Sequence, residues 1–216
     1  MALTLYGHPF ASYVWKVLIA LYETGTPFEF RILDNTAAWA ELEALWPLRK
    51  FPVLRDGEAT FIESSIIMEH VARHHAGATR LLPDGDAGLP VRFLDRFFDN
   101  YVMNAMQAIV ADRLRPEAER DERNVADARK TLDAAYGYLD ERLPALGWAC
   151  GAAFSLADCA GAPSLFYADW VHRIDDRFAR LRAYRGRLLA RPSVARVVDE
   201  ARPYRPLFPG GAPDRD

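Results

Sequence analysis

Apolar residues at Val14, Val17, Leu18 and Leu21 recur at the spacing of one helical face and predict a helix from about Ala11 to Thr24, with Gly25 as its stop. Ahead of it, Thr4-Leu5-Tyr6 reads as a short strand broken by Gly7-His8-Pro9. Behind it, Pro27 introduces the alternation Phe28-Glu29-Phe30-Arg31-Ile32-Leu33, a second strand. A short helix is predicted from Ala37 to Leu45, stopped by Trp46-Pro47. Phe51, Val53 and Leu54 then read as extended, Asp56-Gly57 as a hairpin turn, Thr60-Phe61-Ile62 as the return strand, and Ser64 to His75 as a helix.

This βαβαββα order predicts an α/β, thioredoxin-like N-terminal domain, in which a right-handed crossover lays the first helix on the sheet with its N-terminus near Pro52. Gly, Pro and Asp interrupt all periodicity over 76–88, which places a linker at 79–88 after a first domain at 1–78. Every later periodic stretch is helical: 89–114, 119–143, 155–170, 175–190 and one opened by Pro192-Ser193. The second domain, 89–202, is therefore predicted to be all α. The tail 203–216, with four prolines and two glycines, is expected to lie extended on the surface or to fray.

The 216 residues suffice for a real core, half of them are apolar, and a net charge of −3 gives no electrostatic reason to expect nucleic acid or an anionic membrane as partner. A small-molecule ligand is the expectation. Cys150 and Cys159 are too few for a disulfide framework and read as buried thiols of a reducing compartment. Neither a leader pattern at Met1-Ala2-Leu3 nor an apolar run of membrane-spanning length is present, so the expected location is the cytoplasm.

Chemistry concentrates around the hairpin. Pro52 lacks an N–H, so the main chain beside it is expected at a strand's first residue, free to pair with an extended ligand. Ser64 and Ser65 open a helix, where hydroxyls, unpaired amides and the positive dipole end suit a carboxylate, and Glu63 suits an ammonium. An amino acid's α-carboxylate and α-amine are the natural fit.

Lys50-Phe51-Pro52-Val53-Leu54, Asp56-Gly57 and Glu63-Ser64-Ser65-Ile66-Ile67 together resemble the glutathione-binding half of a glutathione S-transferase. Phe154-Ser155-Leu156-Ala157-Asp158, a capping box, is similar to the Ser-x-x-Asp box of that family's helical domain. The resemblance implies glutathione as cosubstrate, no metal, a homodimer, and conjugation to a small apolar electrophile in a detoxifying role. It implies that Phe51, beside a cis-Pro52, pairs with the cysteinyl part of glutathione, and that Glu63 and Ser64 hold the γ-glutamyl end.

That chemistry needs a thiolate, whereas a free thiol has a pKa of about 8.5. On the phi-type pattern the activating serine falls on Ala11. Ser12, one residue later, resembles the second serine of the zeta-type run and is the leading candidate, with Tyr6 and Tyr13 as alternatives. Ala37 to Glu41 offer no Lys, Arg or His for the glycine carboxylate, so Lys50, Arg49 or Trp39 stands in. Phe10, Tyr13, Tyr101, Met103, Met106 and Gln107 are candidate lining of the electrophile pocket. His8, His70, His74, His75 and His172 lack ligand spacing and adjacent carboxylates, which predicts structural or exposed roles. A glutathione-dependent isomerase of the zeta type and a non-catalytic binding module remain the alternatives.

Overall fold

Alternation along β1 (Leu3–Gly7) divides the N-terminal half: Leu3 and Leu5 join the core under α1 (Ser12–Thr24) and α3 (Ser64–His74), while Tyr6 packs with Leu33, Ala38, Leu42 and Val53 under α2 (Thr36–Leu45). The computed structural model describes residues 3–75, 77 and 79–216. Met1, Ala2, Ala76 and Ala78, and with them part of the N-terminal and linker readings, lie outside the described residues.

Strands β2 (Phe28–Ile32), β3 (Val53–Asp56) and β4 (Ala59–Ile62) complete a sheet ordered β2-β1-β3-β4, with β1 and β2 parallel and the other pairs antiparallel. Asp56 pairs with Ala59, so the hairpin loop is Gly57-Glu58, one residue later than the Asp56-Gly57 pair predicted. Gly57, at φ +59°, takes the left-handed position that glycine favours.

Every residue of α1 from Val14 to Leu21 is buried, because the helix lies between the sheet and the helical half. Each such aliphatic contributes about 1.5 to 3 kcal/mol relative to its exposed state. Gly7 permits the tight entry: a Cβ there would fall 2.7 Å from Val14 Cγ2.

The second half is helical: α4 (Leu89–Phe97), a π-helical turn (Phe98–Met103), α5 (Asn104–Arg113), α6 (Glu122–Arg142), α7 (Leu156–Val171), α8 (Ala179–Ala190) and α9 (Pro192–Ala201). All residues of α7 are buried, and the predicted capping box opens it: Ser155 and Asp158 satisfy one another's ends of the first turn. The tail departs from expectation. Arg202–Leu207 form a 3-10 helix, and Phe208 is buried edge-on to Trp170 with Arg205 tied to Asp216, so aromatic packing and ion pairs hold a segment whose composition predicts fraying.

Candidate functional site

The chain leaves α2 through Trp46 and reaches β3 across a cis Phe51–Pro52 bond. Phe51 precedes the first ladder pair, Tyr6 with Val53, and its main chain has no backbone partner among the described residues. At the hairpin's return, Glu63 adopts φ +66° and ψ 116°, a strained conformation for a residue with a side chain, of the kind that persists where the surrounding structure over-determines it. That turn sets buried Ser64 at the mouth of α3 and leaves the exposed Glu63 carboxylate without a cation among the described residues. Lys50, Phe51, Pro52, Glu63 and Ser64 thus come together in a cavity of about 320 Å³, which Tyr13, Trp46, Arg96, Asp99, Asn100 and Asn104 help to line.

A second, apolar cavity of about 510 Å³ adjoins it, lined by Phe10, Ala11, Ser12, Met106, Val110, Tyr167 and Leu207-Phe208-Pro209. The two share Tyr13, Lys50, Phe51 and Gln107. At this seam stands the start of α1. Ala11 is its N-cap in extended conformation, and the Ser12 and Tyr13 amides have no acceptor among the described residues, so the positive end of the helix faces the seam. Ser12 is the first residue of the helix rather than its N-cap, and its hydroxyl has no hydrogen-bond partner among the described residues. The Tyr13 hydroxyl donates to Asn104 Oδ1 at 3.3 Å, and burial, then the Asp99 charge, push the phenol up to about 12, so it stays a proton donor at neutral pH.

Behind the polar cavity lies a charged network that the sequence reading missed. Lys16, fully buried, places Nζ 2.8 Å from Asp95 and 2.7 Å from Asp99, and donates to Ser65 Oγ at 3.0 Å. Arg96 pairs with both aspartates and with Ser65. Of the adjacent helix-opening serines, Ser64 therefore faces the cavity and Ser65 faces the network. No local motif marks Asp95, Asp99 or Asn104, which reach the site only through the packing of α4 and α5 on α1.

Several sequence expectations are corrected. Tyr6 lines neither cavity, because it stands on the sheet face that packs α2. Met103 is buried in the core and Tyr101 is 52 % exposed beside Phe97, so neither lines a cavity, whereas Phe10, Tyr13, Met106 and Gln107 do. Trp39 packs edge-on against Phe51, and the Arg49 guanidinium lies 5.3 Å from the Trp39 ring centre. Carboxylates do stand beside three histidines: Asp56 beside His70 and His75, and Asp133 beside His172.

The chain matches the family model for the N-terminal domain of glutathione S-transferases over residues 5–79 and that for the C-terminal domain over residues 110–187. It is 29 % identical over 204 residues to glutathione S-transferase GstB of Escherichia coli K12, covering 91 % of this chain and 97 % of that one. Identity to glutathione S-transferase F13 of Arabidopsis thaliana is 26 % over 210 residues, covering 91 % and 95 %. The crystal structure of a glutathione S-transferase from Methylobacterium radiotolerans in complex with glutathione sulfonate superposes with a TM-score of 0.78 at 28 % identity, covering 92 % and 95 %.

Proposed function

Because the chain belongs to the glutathione S-transferase family, we propose that it binds glutathione in the polar cavity and conjugates its thiolate to a small apolar electrophile held in the adjoining one. The observation that carries this is the seam: a polar cavity with amino-acid-binding groups and an apolar cavity meet at the N-terminus of α1. Glutathione lies with its cysteinyl backbone along Phe51 at Pro52. Its γ-glutamyl carboxylate meets the Ser64 end of α3, its ammonium meets Glu63, and Lys50 takes the glycine carboxylate.

The sulfur then falls at the seam. There the positive end of α1 and a hydroxyl favour the charged form, which lowers the thiol's pKa toward neutrality. Ser12 is the proposed donor, and Tyr13, held protonated, is the second hydroxyl in reach. The protein acts in the cytoplasm in a detoxifying role. It works as a homodimer through the exposed Ile66, Leu89, Phe93 and Tyr101 on α3, α4 and the π turn, large apolar side chains that a lone chain leaves in water.

The test is a titration with glutathione that follows thiolate absorbance against pH in wild type, Ser12→Ala and Tyr13→Phe. Ionisation of bound glutathione well below its free pKa, lost in Ser12→Ala, supports the assignment; loss in Tyr13→Phe alone transfers the role to Tyr13. Failure to bind glutathione overturns the reading. Turnover of maleylacetoacetate without net loss of glutathione replaces conjugation with isomerisation, and binding without turnover of any electrophile leaves a binding module.

A further inference from the structure

We propose that Asp56, His70 and His75 form a binding site for one divalent cation of the zinc class, at the end of the hairpin remote from both cavities. Asp56 closes β3 two residues beyond buried Leu54 and so lies on the same sheet face, toward α3. His70 stands on α3, and His75 caps its C-terminus. One oxygen, Asp56 Oδ2, lies 2.9 Å from His70 Nε2 and 2.9 Å from His75 Nε2, and donor atoms of the three residues all fall within 4.8 Å of one another.

Metal bonds of about 2.0 to 2.2 Å put tetrahedral ligands roughly 3.3 Å apart, so small torsions convert this cluster into three ligands around one point. Two imidazoles and a carboxylate suit zinc, cobalt or nickel better than calcium or magnesium, which take oxygen ligands. Each neutral imidazole binds through Nε2 once its proton sits on Nδ1, so binding needs no charged histidine.

The frame that carries these ligands is fixed by other contacts. The His70 ring stacks on Phe61 of β4 with centroids 3.7 Å apart. The His75 carbonyl accepts from Thr26 Oγ1 at 3.0 Å, and its amide donates to Val71 at 2.9 Å. Side-chain exposures of 12 % for His70, 25 % for His75 and 26 % for Asp56 leave room for a water as further ligand. The exposed His74 ring stands 4.8 Å from that of His70, at the rim of the cluster. A bound cation would clasp the hairpin to the end of α3, the elements whose opposite ends carry Val53 next to Pro52, and Glu63 with Ser64. Its role is to brace that frame.

The experiment uses untagged, chelator-stripped full-length protein. Zinc is titrated in competition with a chromophoric chelator, and cobalt is followed by its ligand-field absorption, in wild type, Asp56→Asn, His75→Asn and His74→Asn, with circular dichroism confirming the fold of each. One zinc per chain is expected, with affinity reduced in Asp56→Asn and in His75→Asn by at least the roughly 10- to 100-fold that loss of even an outer-sphere partner costs. His74→Asn should bind like wild type. Zinc should also raise the melting temperature of wild type but not of Asp56→Asn, a readout that survives if His75→Asn folds poorly. Absence of binding to wild type, undiminished binding in Asp56→Asn, loss confined to His74→Asn, or half a zinc per chain would each overturn the proposal.

Discussion

The ammonium of Lys16 lies 2.7 Å from an Asp99 carboxylate oxygen, with the lysine side chain wholly buried and that of the aspartate 7 % exposed. Asp95, at 2.8 Å, and Arg96 complete a group of two cations and two anions that joins α1 to the start of the helical half. Buried ions are tolerable only when mutually compensated, so the network's weight shows when one member is removed.

Replacing Lys16 with the apolar, similarly sized Met leaves two buried carboxylates to a single, half-exposed guanidinium. The expected loss is about 3 to 5 kcal/mol of unfolding free energy in urea. Since Arg96 and Asp99 also line the polar cavity, glutathione affinity should fall in the same variant. A loss below about 1 kcal/mol, the range of a surface pair, would show that the network does not hold the two halves together.

Glu23, near the end of α1, gives the stability a pH signature. Burial alone would raise its carboxyl, but hydrogen bonds from Arg191, Ser193 and Thr79 and the Arg191 charge outweigh that and hold it below the usual range. For a depressed acid the stabilisation is present above the unfolded value of about 4.3 and is lost as pH falls through the folded one. Glu23→Gln should therefore cost about 2 kcal/mol at pH 7 and much less near pH 3, measured by denaturant unfolding at both. An equal deficit at both pH values would assign the loss to packing.

Asp158 accepts from the Ser155 amide and hydroxyl, the Ala149 amide and the Tyr184 hydroxyl at 2.7 to 2.9 Å. Asp158→Ala orphans these buried donors and should destabilise by about 3 kcal/mol or more, seen as loss of soluble protein or a lower urea midpoint. Asp158→Asn, which keeps an acceptor, should lose less.

The features legible in the sequence are those that rest on local pattern. The face Val14, Val17, Leu18, Leu21 announces α1, and Phe51-Pro52 with Glu63-Ser64 announces the polar cavity, because both are set within a few residues. The features that were not legible depend on register between distant elements. The π turn at Phe98–Met103 adds a residue to one turn and rotates the start of α5 by about 100°, and the unmarked Asn104 at that start meets the Tyr13 hydroxyl. The one-residue shift of the hairpin loop likewise puts Asp56 in the ladder and beside two histidines that lie 14 and 19 residues later in the chain. Phe208 was hidden by its setting among prolines and glycines.

Phe208 links that tail to the apolar cavity proposed for the electrophile. Its ring packs edge-on to Phe10 and Trp170 and near-parallel to Tyr167, and it lines the apolar cavity alone of the two. Phe208→Ala removes wall from the apolar cavity only, so on the proposed reading the KM for an apolar electrophile should rise about tenfold, the equivalent of roughly 1.4 kcal/mol, while the Kd for glutathione stays within about twofold. The same truncation of a buried ring should lower unfolding free energy by about 3 kcal/mol, which is why the two ligand constants are compared at a temperature where the variant is folded. A parallel rise in the Kd for glutathione would mean that the tail supports both cavities, and the division of labour at the Tyr13 seam would have to be redrawn.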